Sequence, residues 1–274
     1  TLFRSAKEEG IVSIGLHHPV ANCLDYAQLL AEKYHLTHCN IVPVYRNESA
    51  LDSVTFGCYQ LMARYLQGDK PTVVGIGSGL TLKKTIKRID FDSHNTRCVA
   101  LISAMNEHGQ CNYYDDVPLL LARKIQGKYY QWPAPRYAQS SEEHEMWCSN
   151  RLFRNVCAVA DAADVIFVGI GALGRQSPIF KDGFIDEAQL EELTQRGGVG
   201  EILGRFIDAD GNVIDSQINR FITSYDIRQS QCPRIAAACG EDKRPAILAA
   251  LKGGWVNGLV TDEQTARWLL TRQG

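Results

Sequence analysis

Gly75-Ile76-Gly77-Ser78-Gly79-Leu80-Thr81 joins an apolar run, Pro71 to Gly75, to a stretch in which Leu80, Leu82, Ile86 and Ile89 recur at helical spacing. Arg97 to Ile102 then follows as another apolar run, so the order is strand, glycine turn, helix, strand. Glycines let the backbone turn tightly and approach a ligand, the helix start presents unpaired N–H groups, and Ser78 and Thr81 add hydroxyl donors. The loop therefore suits a phosphate or carboxylate, or else is a plain strand-to-helix turn with a Ser N-cap. No Gly-Lys-Ser/Thr closes it, which sets aside the nucleotide-binding P-loop.

The alternation extends outward from this unit in both directions. Before it come a helix from Asn22 to Tyr34, a strand from Cys39 to Val44 and a helix from Ala50 to Leu66. After it the spacing predicts helix Tyr114 to Ile125, strand Lys128 to Trp132, helix Asn150 to Ala162 and strand Asp164 to Gly169. Near the end lie strand Arg234 to Ala238, helix Lys243 to Lys252, strand Val256 to Val260, and a last helix announced by Thr261-Asp262-Glu263. Such alternation predicts an α/β fold, a mostly parallel sheet with helices on both faces. Between Gly169 and Arg234 the rhythm breaks, and Gly183, Gly197, Gly198, Gly200, Gly204 and Gly211 mark loop and hairpin. A loop region of that length inside an α/β domain is usually functional.

The 274 residues carry 29 Lys and Arg against 31 Asp and Glu, a formal charge of −2, with 45% apolar residues. Disorder, collagen and membrane-spanning classes do not have this composition. Near-balanced charge argues against this chain itself gripping nucleic acid. Ile11 to Leu16, broken by Ser13 and followed by His17-His18-Pro19, does not read as a signal peptide. Nine cysteines at scattered spacings fit reduced thiols in the cytoplasm, where packing is their expected role. The histidines offer no ligand set, and neither a cofactor nor a metal is expected.

Gly169-Ile170-Gly171-Ala172-Leu173-Gly174 matches the dinucleotide fingerprint literally, but no strand ending in an acidic residue arrives about 20 residues later. A strand-end loop walling the same crevice is the preferred reading over an NAD site. Glu201, Asp208 and Lys243 stand near glycine-rich or apolar elements and could orient a polyol or neutralise a phosphate; each could equally be a turn or cap residue. Lys243 is unfavourable at a helix start unless an anion sits there. No nucleophile elbow and no Ser/His/Asp or Cys/His arrangement is present, whereas a carboxylate–lysine isomerase site remains open.

Several ordered stretches resemble the C-terminal effector-binding domain of SorC-type bacterial transcriptional regulators. They are 8–14, 75–82, Trp132-Pro133-Ala134-Pro135, Ala162-Ala163-Asp164-Val165 running into 168–171, 198–206 with Asp208-Ala209-Asp210-Gly211, Lys252-Gly253-Gly254, and 259–266. The resemblance spans Ser5 to Leu270 and looks closest to sorbose-operon regulators. It implies a Rossmann-like domain related to sugar-phosphate isomerases and deaminases, one that binds a sugar or sugar phosphate and forms a dimer or tetramer. Operator DNA would be held by a helix-turn-helix preceding residues 1–14, read as a linker remnant, with 15–274 as the sugar-binding domain. The phosphate loop carries over to Gly77, Ser78, Gly79 and Thr81, the acidic sugar contacts to Glu201 and Asp208, and the basic one to Lys243. Where the family has a Gly-Gly-Leu-Gly-like turn this chain has Ser103-Ala104-Met105-Asn106, with Ser103 the candidate contact, and Ala238-Cys239-Gly240 replaces Ala-Gly-Gly. Tyr113 and Asp115 lie where some relatives place polar contacts. The expected function is that of a receptor and not an enzyme; the alternative is a sugar-phosphate isomerase or deaminase with Glu201 or Asp208 as general base.

Overall fold

The computed structural model describes residues 19–45, 49–105, 111 and 117–272. Residues 1–14, His17, His18, Tyr113 and Asp115 therefore lie outside the described residues. A seven-stranded sheet forms the centre, in the order β1 (His38–Val42), β10 (Gly258–Asp262), β9 (Arg234–Ala237), β5 (Val165–Val168), β2 (Val73–Ile76), β3 (Arg97–Ala100) and β4 (Lys128–Tyr130). Every neighbouring pair is parallel. Because successive side chains on a strand point to opposite faces, β5 sends Val165 and Phe167 into one core and Ile166 and Val168 into the other.

One face is covered by α2 (Ala50–Leu66), α3 (Leu80–Lys87) and α4 (Val117–Lys124), which bury Val54, Leu61, Leu82, Ile86 and Leu121 against Val74, Ile76 and Phe167. The other is covered by α1 (Pro19–Tyr34), α6 (Arg151–Asp161), α10 (Arg244–Lys252) and α11 (Glu263–Leu270), packed on Val73, Ile166 and Ala236. Each fully buried aliphatic or aromatic side chain contributes roughly 1.5–3 kcal/mol, so these two layers hold the sheet. Helix starts follow cap chemistry: Ser49 accepts from Asp52 N–H to open α2, and Asp262 accepts from Thr265 N–H to open α11.

The glycine-dense stretch builds more than loop and hairpin. It forms a three-stranded antiparallel sheet, β6 (Gly171–Ala172), β7 (Gly198–Ile202) and β8 (Arg205–Asp208), with α7 (Pro178–Lys181), α8 (Glu187–Gln195) and α9 (Gln217–Arg220). Ile179, Ile185, Leu190, Leu193, Phe206, Ile214 and Ile218 give this insertion a core of its own. Several boundaries shift by a few residues, and two departures from expectation go further. Helix α5 (Ser141–Ser149) buries no residue, so it shows no apolar stripe and only its Ser140 cap, accepting from Glu143 N–H, marks it. The strand expected at 256–260 begins at Gly258 instead, because Trp255 turns inward and its Nε1 donates to Gly211 O at 2.8 Å. Asn257 completes the corner by accepting Arg234 N–H on its Oδ1 at 2.7 Å.

Candidate functional site

The sheet reverses its direction of growth between β5 and β2. From β2 the chain adds β3 and β4 on one side; from β5 it adds β9 and β10 on the other. At such a switch point the loops leaving the two strands part and open a crevice at their carboxyl ends. A cavity of about 390 Å³ occupies that place, walled by the loops after β2, β5 and β9 and roofed by the insertion.

The loop after β2 supplies Ser78, Gly79, Leu80 and Thr81 to the lining. Gly77 supports them from behind: its N–H donates to Phe167 O at 2.9 Å, and a Cβ there would stand 3.0 Å from Leu203 Cδ2. Gly79 caps α3 with φ 112° and ψ 163°, a region open in practice only to glycine, and no side chain caps the helix. The first N–H groups of α3 have no partner within the helix. The loop after β9 brings a second helix start to the same cavity. Gly240 has φ 107° and ψ 148°, again without a side-chain cap, and leads through the 3₁₀ turn Glu241–Lys243 into α10. Lys243, expected as the first helical residue, is the N-cap of α10, half-buried, and lines the cavity beside Asp242.

Glu201 enters from the insertion. It lies on β7 opposite Gly171 of β6, and its Oε2 accepts Gly204 N–H at 2.8 Å. The carboxylate folds back over Gly171, where a Cβ would meet Glu201 Oε1 at 2.3 Å. The tight β7–β8 turn is made by Leu203 and Gly204, both with positive φ, 50° and 78°. That strained turn aims Leu203 into the cavity and against Gly77. The loop at 169–174 does wall the crevice.

The structure thus brings Ser78, Gly79, Thr81, Glu201 and Lys243 to one cavity, with Gly77 behind them. Asp208 and Ser103 stand elsewhere. Asp208 Oδ1 accepts the N–H groups of Asp210 and Asn212, both at 2.9 Å, and its Oδ2 accepts from Asn212 Nδ2 at 3.2 Å. Asp208 is a turn residue of the Asp-Ala-Asp-Gly loop and is absent from the described lining of this cavity. Ser103 is buried behind the wall, where its hydroxyl accepts Met105 N–H at 3.2 Å and its carbonyl accepts from Arg136 Nη2 at 3.1 Å.

Arg136 itself escaped the sequence reading. It follows the Trp-Pro-Ala-Pro stretch after β4, is 5% exposed, and lines the cavity from the side of the sheet opposite Lys243. Nothing in its periodicity marks it; a cation directly after the Trp-Pro-Ala-Pro stretch was the available signal. Asp182 lines the same region, and burial raises its carboxyl above the ordinary range against the opposing pull of Arg136. Among the described residues no group of three His, Cys, Asp or Glu is placed to hold a metal ion, and no helix is long and apolar enough to cross a membrane. All nine cysteines are free; burial pushes the thiols of Cys58 and Cys98 up to about 12, whereas Cys111 is exposed and does not pack.

Residues 18–271 match the family model described as "Putative sugar-binding domain". The erythritol catabolism regulatory protein EryD of Brucella abortus (strain 2308) is 29% identical over 98% of this chain and 86% of its own length. The transcriptional regulator LsrR of Escherichia coli (strain SMS-3-5 / SECEC) is 28% identical over 98% of this chain and 84% of its own. Among solved structures, the full-length sorbitol operon regulator SorC from Klebsiella pneumoniae superposes with a TM-score of 0.81 at 22% identity, covering 98% of this chain and 88% of that one.

Proposed function

The chain belongs to the family described as "Putative sugar-binding domain", and we propose that it is the effector-binding part of a SorC/DeoR-like sugar-responsive transcriptional regulator, whose cavity at the β2–β5 switch point binds the phosphorylated sugar or polyol that the regulator senses. One observation carries the reading: two helix starts on opposite faces of the sheet, each opened by an uncapped positive-φ glycine, converge with Lys243 on one cavity. Uncapped N–H groups and a nearby ammonium suit a phosphate. Glu201 on the insertion suits sugar hydroxyls, as an acceptor within reach of the same space. The erythritol and sorbitol of two relatives' names make polyols and ketoses the first ligands to try, sorbose among them.

The domain acts as a receptor and as the site of homo-oligomer assembly, dimer or tetramer, in the cytoplasm. The effector would shift an equilibrium between assembly states by binding one of them more tightly. A separate DNA-reading segment would hold the operator, since a net charge of −2 leaves this domain no surplus of cations.

The test is calorimetric titration with free and phosphorylated sorbose, fructose and erythritol, followed by NMR of the recovered ligand. Lys243→Ala should weaken a phosphorylated ligand by about 10-fold or more, the scale of one charge-assisted contact, and leave its free counterpart nearly unchanged. Equal losses for both would remove the phosphate assignment. Recovery of an isomerised sugar would make the domain an enzyme with Glu201 as the base.

A further inference from the structure

A second cavity, about 320 Å³, lies beside the first beneath the insertion, lined among others by Pro135, Gln139, Gln217 and Phe221. Among the described residues, two line both spaces, Arg136 and Phe184. They stack on each other: the guanidinium carbon of Arg136 is 3.4 Å from the centroid of the Phe184 ring. Arg136 comes from the segment after β4 and Phe184 from the insertion after α7. The wall between the cavities is therefore a contact between the main sheet's periphery and the insertion. Its guanidinium is anchored, since Nη2 also donates to Ser103 O, and a planar cation stacked on a ring out of water is costly to displace.

We propose that the Arg136–Phe184 stack sets the length of the effector. With the stack closed, the first cavity, at the small end of the range of about 300–1,000 Å³ for ligand sites, holds one phosphorylated sugar unit. Without it, the two spaces join, and the carboxamides of Gln139 and Gln217, which both donate and accept, face a second sugar unit. This inference rests on the phosphosugar reading of the first cavity.

The experiment compares ligands that share a phosphate end and differ by one added sugar: glucose 6-phosphate against trehalose 6-phosphate, and fructose 6-phosphate against sucrose 6′-phosphate. Wild type is expected to prefer at least one monosaccharide phosphate over its disaccharide by about tenfold or more. Arg136→Ala and Phe184→Ala should each erase that preference by admitting the longer ligand. Arg136→Met, which keeps most of the volume, should retain it. Thermal melts identify which variants fold, and either alanine variant suffices. Equal wild-type affinity within both pairs, or a folded alanine variant that binds the monosaccharide phosphate and still excludes the disaccharide, overturns the length rule alone. If wild type and the alanine variants bind none of the four, the phosphosugar reading falls and takes this inference with it.

Discussion

Gly79 and Gly240 take nearly the same backbone conformation, φ 112°, ψ 163° and φ 107°, ψ 148°, at the starts of helical segments that pack on opposite faces of the sheet. A Cβ on Gly79 would meet nothing within 4 Å, so the cost of Gly79→Ala is conformational alone, about 1–3 kcal/mol. Urea unfolding should show that loss. Calorimetry should show weaker binding of phosphorylated ligands, because the strain is relieved by turning the loop's N–H groups away. At Gly240 a Cβ also meets Asp242 Oδ1 at 2.9 Å, so Gly240→Ala should displace the Asp242–Lys243 segment as well. A Gly79→Ala variant of undiminished stability would contradict this account of the loop.

Asp208 offers the opposite separation. Its carboxylate closes the Asp-Ala-Asp-Gly turn through three hydrogen bonds and is not part of the described cavity lining. Asp208→Ala should lower stability by about 1–2 kcal/mol and leave the affinity for any effector within a factor of about two. Paired unfolding and binding measurements on the one variant check both halves. A selective loss of affinity would return Asp208 to the site.

Acid sensitivity should centre on Asp226. Burial pushes its carboxyl up, but the hydrogen bonds from Arg228 and the charges of Arg205 and Arg228 outweigh that and hold it below the ordinary range. A depressed carboxylate stabilises the fold fully above its unfolded value, near 3.9, and loses that contribution as pH falls through the lower folded value. Asp226→Asn should therefore cost about 1–2 kcal/mol at pH 7, where Arg228 Nη2 donates to Asp226 Oδ2 at 2.7 Å. The gap to wild type should close below about pH 4. A gap unchanged at pH 3 would assign the effect to packing instead of charge.

The elements that carried their own local chemistry were readable. Helix α2 runs from Ala50 to Leu66 as its spacing predicts, because Ser49, Asp52 and the buried series Val54, Cys58, Leu61 are all written within one stretch. The glycine loop, the parallel strands and the Asp262 cap were equally local. What depended on partners distant in the chain was not. Arg136 belongs to the wall because Ser103 and Phe184 meet it there, and no spacing announces that. Asp208 has the same residue type and turn context whether it faces a ligand or its own loop; its hydrogen bonds alone decide. The insertion's small core draws one or two residues each from α7, α8, β8 and α9, with Ile185 and Ile214 from the connections, too few in each for a period to emerge.

The pairing of β1 with β10 also bears on how the molecule is made. Thr37 already reaches Asn257 across 220 positions of chain, and β10 is the strand that β1 pairs with. At about 5–20 residues per second of synthesis, β1 waits roughly 11–44 s for the strand that receives it. In that interval β2, β3, β4 and β5 can assemble from continuous chain, while β1 presents an open edge to any neighbouring polypeptide. Completion of the sheet is thus a late, long-range event in the birth of the protein, and substitutions near Asn257 should lower the yield of folded chains more than they lower the stability of those that form.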